Sequence, residues 1–195
     1  DNVEEAFGCN IVLKVAPPSF QEIEYIKPQS VLLSALQLKT QTKKYFETLA
    51  KKKITAFAFD YIKDDHGFYP IVKSLSEIAG TASVLIAAEL LSNSNNGNGL
   101  LVGNIGGVPP TDVVIIGAGT VGEFAARSAL GLGARVKVFD NSITKLRRLQ
   151  HCLNTPIYTS TIQPKTLAKA LMRCDIAIGA IRGKNRSPIM ATEDM

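Results

Sequence analysis

Val113-Val114-Ile115-Ile116-Gly117-Ala118-Gly119-Thr120-Val121-Gly122 is the stretch that decides the fold of this chain. Four β-branched apolar residues read as a buried strand. They run straight into Gly-x-Gly-x-x-Gly, and a helical pattern follows at once. A second short apolar run, Val136-Lys137-Val138-Phe139, ends in Asp140, about 20 residues past the glycines. Strand, glycine turn, helix, strand and acid in this order form the dinucleotide-binding fingerprint. Gly117 lets the chain turn out of the strand. Gly119 leaves the backbone open to a pyrophosphate. Gly122 lets the helix pack close to the sheet. Ala118, Gly119, Thr120 and Val121 complete the expected cofactor-binding loop, and the helix N-terminus there, with its free N–H groups and partial positive charge, suits a phosphate. Asp140 is placed to accept hydrogen bonds from both adenine-ribose hydroxyls and to repel a 2′-phosphate, so the expected cofactor is NAD rather than NADP.

Working outward toward the C-terminus, the pattern from Asp112 onward is β-α-β-α-β-α-β. Strands are expected at 113–116, 135–139, 157–159 and 175–180, and helices at 121–132, 142–150 and 164–172. Pro164 suits the first turn of its helix. This predicts a Rossmann-type doubly wound parallel sheet with helices on both faces. The pattern stops at Met195 before a full dinucleotide domain is complete.

Toward the N-terminus, strands are expected at 10–15, 30–36 and 54–59, with helices at 19–25 and 43–53. These predict part of a second α/β domain. Asp64-Asp65-His66-Gly67 reads as the turn of a hairpin. Ser74-Leu75-Ser76-Glu77 fits a capping box with Ser74 as the cap, and the helix that follows to Leu91 is expected to be largely buried. Asn93–Gly99 and Gly103–Pro110 read as loops. The expected division is 1–75, a partial first domain; 76–110, a connecting helix and linker; and 111–195, the NAD-binding domain.

The bulk properties exclude several classes. With 195 residues, 46% of them hydrophobic, the chain can build a real core. Its start carries no signal-peptide pattern, and no apolar run is read as long enough to cross a bilayer. The three cysteines, Cys9, Cys152 and Cys174, are scattered without ligand spacing and read as reduced thiols of a cytoplasmic protein. A net charge of +5 raises nucleic acid as a partner. The basic residues are dispersed among acids with no aromatic platform, however, so neither nucleic acid nor a membrane is expected.

Ile11-Val12-Leu13-Lys14-Val15, Ser76-Glu77-Ile78-Ala79-Gly80, Gly106-Gly107-Val108-Pro109, Gly117–Gly122 and Ile178-Gly179-Ala180 together resemble the alanine dehydrogenase and nicotinamide nucleotide transhydrogenase family. The resemblance covers essentially the whole chain and is closest to the alanine dehydrogenases. Family members are about twice as long, with a substrate domain built from both chain ends. The chain therefore looks like a middle fragment, inactive alone, of a larger homo-oligomeric protein.

The resemblance implies roles at matching positions. Lys14 would bind the substrate's carboxylate or carbonyl oxygen. Ser76 would touch the cofactor, Asp140 its ribose and Lys145 the adenosine side, and Ile181 would follow the strand where backbone groups meet the cofactor. Arg182-Gly183-Lys184-Asn185-Arg186 lies at the same crevice edge and reads as a solvated basic loop. The implied reaction is NAD-dependent oxidative deamination of L-alanine to pyruvate and ammonia. One position departs from the pattern. Where the family's Leu-His-Leu segment carries an acid–base histidine, this chain has Leu36-Gln37-Leu38. Gln37 can orient a substrate but cannot take up a proton near pH 7. His66, in a turn, and His151, at a helix end, do not replace it. Two other readings stay open. One is the NAD-binding soluble component of a proton-translocating transhydrogenase, against which Phe68–Lys73 lacks that group's arginine, glutamine and aspartate loop. The other is a non-catalytic NAD-binding module.

Overall fold

The computed structural model describes residues 2–181. The chain divides between Lys73 and Ser74 into two compact units. The first contains α1 (Val3–Phe7), β1 (Ile11–Lys14), α2 (Phe20–Tyr25), β2 (Val31–Ser34), α3 (Lys43–Lys51) and β3 (Thr55–Ala58). Its three strands are parallel in the order β1-β2-β3, with Val12 opposite Leu32 and Leu32 opposite Ala56. Alternation along the strands sends Val12 and Leu32 into a core with Ile23 and Ile26 of the α2 segment and Tyr45 and Leu49 of α3. The opposite face carries Ile11 and Leu13, which are 67% and 75% exposed, and Phe57.

Local chemistry fixes the helices of this unit. The Ser19 hydroxyl accepts from Glu22 N–H at 3.2 Å, and Glu22 accepts from Ser19 N–H at 2.6 Å, a complete capping box. At the other end of α2, Lys52 Nζ donates to the carbonyls of Ile23, Glu24 and Ile26 at 2.8, 2.5 and 2.9 Å. The last carbonyls of a six-residue helix, which have no partner within it, are satisfied from the end of α3.

The expected hairpin at Asp64–Gly67 is a turn without strands. Asp64 Oδ1 accepts from His66 and Phe68 N–H at 3.0 and 2.8 Å. The segment links a 3₁₀ turn at Phe59–Tyr61 to the next helix. That helix, α4 (Pro70–Leu91), also corrects the expected start, since Ser74 lies inside it. Pro70 begins it because a fixed φ and a missing N–H suit the first position, and Lys73 N–H already bonds Tyr69 O at 2.9 Å.

α4 is less buried than its apolar composition suggests. Ile78, Leu85, Ile86 and Leu90 are exposed, while Gly80 and Val84 are buried. Periodicity shows which residues share a face, not what that face meets. By length and composition α4 is also long and apolar enough to cross a membrane, contrary to the sequence reading. In this fold it supplies Val84 to the core of the second unit. Its C-terminus is closed by the Asn-rich loop: Gly97 N–H bonds Ser92 O at 3.0 Å and Gly99 N–H bonds Leu91 O at 2.9 Å.

The second unit continues with β4 (Asp112–Ile116), α5 (Thr120–Gly131), β5 (Arg135–Phe139), α6 (Ile143–Leu153), β6 (Tyr158–Ser160), α7 (Pro164–Leu171) and β7 (Ile176–Gly179). The four strands are parallel in the order β6-β5-β4-β7. Every residue of β4 is buried. Val113 and Ile115 face a core shared with Ala125 and Ala129 of α5 and Leu149 of α6. Val114 and Ile116 face Leu167 and Ala170 of α7. Helices therefore cover both faces of the sheet, as the doubly wound reading requires. The chain turns toward β5 on one side of β4 and returns to β7 on the other. This places the loop after β4 at the topological switch point, where ligands of such sheets bind.

Candidate functional site

The glycine loop is shaped by its own backbone. Gly117 has φ +121°, and a Cβ there would lie 2.5 Å from the Ala180 carbonyl oxygen. Only glycine tolerates both the angle and the closeness. A Cβ on Gly122 would fall on the Gly117 carbonyl oxygen, so this glycine closes the first turn of α5 on the loop as well as easing packing on Ile115. Gly119 differs: a Cβ there would meet nothing within 4 Å. It is the N-cap of α5 and no side chain caps the helix there. Open space lies beside uncapped N–H groups and the positive end of a helix dipole, an arrangement that fits a phosphate group.

Asp140 stands at the end of β5, buried to 8% exposure. Its Oδ2 accepts from Ala118 N–H at 2.8 Å and its Oδ1 from Ser142 N–H at 2.7 Å. The carboxylate thus ties the glycine loop to the start of α6. Each oxygen retains a lone-pair direction for a further donor. Thr120 and Val121 are half-buried in the first turn of α5. Lys145 is exposed in the first turn of α6, its N–H on the Ser142 hydroxyl at 3.3 Å. Ile181 follows β7, half-buried, and its Cγ1 would lie 3.1 Å from a Cβ on Gly117. Ser76 is half-buried within α4. The Arg182–Arg186 segment lies outside the described residues.

Two residues at this loop escaped the sequence reading. Glu123, buried in α5, pairs with Arg127 at 3.0 Å and with Arg148 of α6 at 3.2 Å. Arg148 also donates to the Ala118 carbonyl at 3.2 Å. The i,i+4 spacing of Glu123 and Arg127 is visible in sequence; the reach of Arg148 from the next helix is not.

In the first unit, the expected substrate residues stand at the C-terminal ends of the parallel strands. Lys14 closes β1. Its Nζ meets both Glu22 oxygens, at 2.6 and 2.5 Å, and lies 5.7 Å from the centre of the Phe7 ring. Chiefly through the Lys14 hydrogen bond, and also through Ser19 N–H, Glu22 is held below the ordinary carboxylate range. Gln37 follows β2, exposed, with φ +50°, the left-handed region that non-glycine residues seldom occupy. Its N–H bonds Asp60 Oδ2 at 3.2 Å, and its carbonyl accepts from Thr40 N–H and Oγ1 at 2.8 and 2.9 Å. Asp60, just beyond β3, was not foreseen; its Oδ1 is buried without a hydrogen-bond partner among the described residues. His66 and His151 are both exposed. Among the described residues no group of acids, histidines and cysteines could hold a metal ion.

Comparison with known proteins agrees with this architecture. Residues 1–79 match the family domain described as Alanine dehydrogenase/PNT, N-terminal domain, and residues 83–195 match Alanine dehydrogenase/PNT, C-terminal domain. The chain is 32% identical to alanine dehydrogenases of Bilophila wadsworthia and Staphylococcus epidermidis. It is aligned over 91% and 100% of its own length, and over 47% and 53% of theirs. It thus spans about half the length of these curated relatives. A solved L-alanine dehydrogenase superposes with a TM-score of 0.86 at 30% identity, covering 98% of this chain and 53% of that one. A transhydrogenase from Sinorhizobium meliloti, at 21% identity and a TM-score of 0.76 over 96% of this chain and 55% of its own, shares the fold. The chain belongs to the alanine dehydrogenase/PNT family, with part of its N-terminal domain followed by its Rossmann-like C-terminal domain.

Proposed function

We propose that the second unit binds NAD(H), and that the whole protein is an NAD-dependent dehydrogenase converting L-alanine to pyruvate and ammonia. The observation that carries the cofactor reading is the open space at Gly119 beside an uncapped helix start, in a loop whose other two glycines are spoken for by their own backbone. A pyrophosphate would sit there on N–H groups of Gly119, Thr120 and Val121. Asp140, anchored by two amides, would accept the ribose hydroxyls and repel a 2′-phosphate. Lys145, Ile181 and Ser76 would complete the contacts on the adenosine and nicotinamide sides. Bound NAD supplies the hydride acceptor.

The substrate reading rests on the relatives named alanine dehydrogenase. Lys14 would hold the substrate carboxylate, exchanging Glu22 for it, and Gln37 would orient the substrate by hydrogen bonding. A homo-oligomer in the cytoplasm is the accompanying proposal, and the absence of disulfides among Cys9, Cys152 and Cys174 suits that compartment. Two observations favour a second reading, a non-catalytic NAD-binding module: Lys14 is closed on Glu22, and Gln37 cannot transfer a proton.

The full-length protein separates the two. NADH binding together with alanine-dependent NADH formation supports the dehydrogenase. NADH binding without turnover at saturating alanine supports the module. No NADH binding at all overturns both.

A further inference from the structure

We propose that Arg148 is a positioning residue for the cofactor: it fixes the Ala118–Gly119 peptide so that the Gly119 N–H faces the phosphate cradle. This rests on the NAD reading above and adds to it a residue from outside the glycine motif. A trans peptide is planar, and its C=O and N–H point in opposite directions; no peptide in the described chain is cis. The Ala118 carbonyl is turned toward Arg148 Nη2, at 3.2 Å. The Gly119 N–H of the same peptide therefore points away from Arg148.

The preceding peptide is held in the complementary way, its Ala118 N–H on Asp140 Oδ2 at 2.8 Å. Successive peptides of the loop are thus oriented by a cation on a carbonyl and an anion on an N–H. The clamp matters because Gly119 lacks a Cβ and can adopt the mirror conformations closed to other residues. A flip of the Ala118–Gly119 peptide would present a carbonyl oxygen, rather than an N–H, to an incoming phosphate.

Glu123 explains why an arginine can stand here with a fixed head. Its buried carboxylate holds Arg148 Nη1 at 3.2 Å, leaving Nη2 for the loop. Arg127 takes the other Glu123 oxygen at 3.0 Å but has no bond to the glycine loop among the described residues. The three side chains sum to one positive charge, so the buried acid does not leave the phosphate site negative. Arg127 is a natural control, since it shares Glu123 with Arg148 without sharing Ala118.

The test uses the full-length protein with R148M, R148K and R127M, and titration calorimetry with NADH, ADP-ribose and adenosine. R148M is expected to weaken NADH and ADP-ribose about tenfold, the scale of one charge-assisted hydrogen bond, while adenosine, which has no phosphate, changes less than about twofold. R148K recovers part of the loss, and R127M stays within about twofold of the unmodified protein for all three ligands. In the ligand-free protein, the Gly119 amide resonance is expected to shift in R148M and not in R127M.

Three results would overturn the proposal: NADH affinity unchanged in R148M, adenosine weakened as much as ADP-ribose, or R127M behaving like R148M. If R148M does not fold, R148K carries the same comparison. If the unmodified protein binds no NADH, the cofactor reading falls, and the Gly119 resonance alone decides whether Arg148 orients this peptide.

Discussion

A methyl group added at Gly122 would land on the Gly117 carbonyl oxygen, whereas one added at Gly119 would touch nothing. The two glycines of one motif therefore answer to different needs, and substitution separates them. G122A is expected to cost about 1–3 kcal/mol or more, as overpacking against backbone does, seen as a lower midpoint in denaturant unfolding. Gly119 has φ −78°, which alanine adopts freely, so G119A should leave that midpoint unchanged. It should nevertheless weaken NADH binding by about tenfold or more, because its methyl group takes space proposed for the phosphate. Wild-type affinity in G119A would remove the phosphate from that space. At this scale the sequence was most readable where a motif sets the spacing: Gly117, Gly119, Gly122 and Asp140 all meet at one loop. It was silent where a partner arrives from elsewhere in the chain. Nothing around Gln37 announces Asp60, nothing in the glycine motif announces Arg148, and Lys14 gives no sign of being held by Glu22.

The order of strands and helices was legible because short apolar runs, many of them β-branched, alternate with longer helical patterns between Gly, Pro and Asn breaks. Ends were less legible. α4 begins at Pro70 rather than at the capping-box pattern at Ser74: a proline suits the first helical position, and the bond from Lys73 N–H to Tyr69 O closes a turn ahead of Ser74. Pairing between strands has an electrostatic component that periodicity does not reveal. At the start of β4, Asp112 accepts two hydrogen bonds from Arg135 at the start of β5, with Lys137 Nζ at 3.6 Å.

Those partners, Arg135 first, hold the Asp112 carboxyl below its ordinary range, and Lys14 does the same for Glu22. A carboxyl whose folded pKa lies below its unfolded value adds stability that is complete above about pH 4 and is lost as pH falls through the lowered folded value. Thermal melting should therefore fall as pH drops below about 4, and R135M should flatten that fall while lowering the midpoint at neutral pH. An unchanged acid profile in R135M would show that Asp112 is not the group being titrated.

Across the whole molecule the two units are built alike and finished differently. The second has helices on both faces of its sheet, as parallel sheets usually do. The first has its core on one face only, and the other presents Ile11, Leu13 and Phe57 to solvent. Sequence could identify both as α/β units, since that follows from residues close together along the chain; the parallel pairing of the first unit's three strands comes from the structure. It could not say which apolar faces would be covered. The same limit applies to α4, whose Ile78, Leu85 and Leu90 are exposed despite a composition fit for a core.

The loop after α4 has a consequence of another kind, in the chemical ageing of the chain. Asn96-Gly97 and Asn98-Gly99 are Asn-Gly pairs, in which the glycine nitrogen can attack the asparagine side chain, close a succinimide and release ammonia. Both nitrogens are committed to helix-end carbonyls, Gly97 to Ser92 and Gly99 to Leu91. Deamidation, followed by peptide mapping and mass spectrometry, should be slow in the folded protein and accelerate in denaturant; equal rates in both would show that these bonds give no protection. The carbonyls that end one helix would then also set how long two asparagines last.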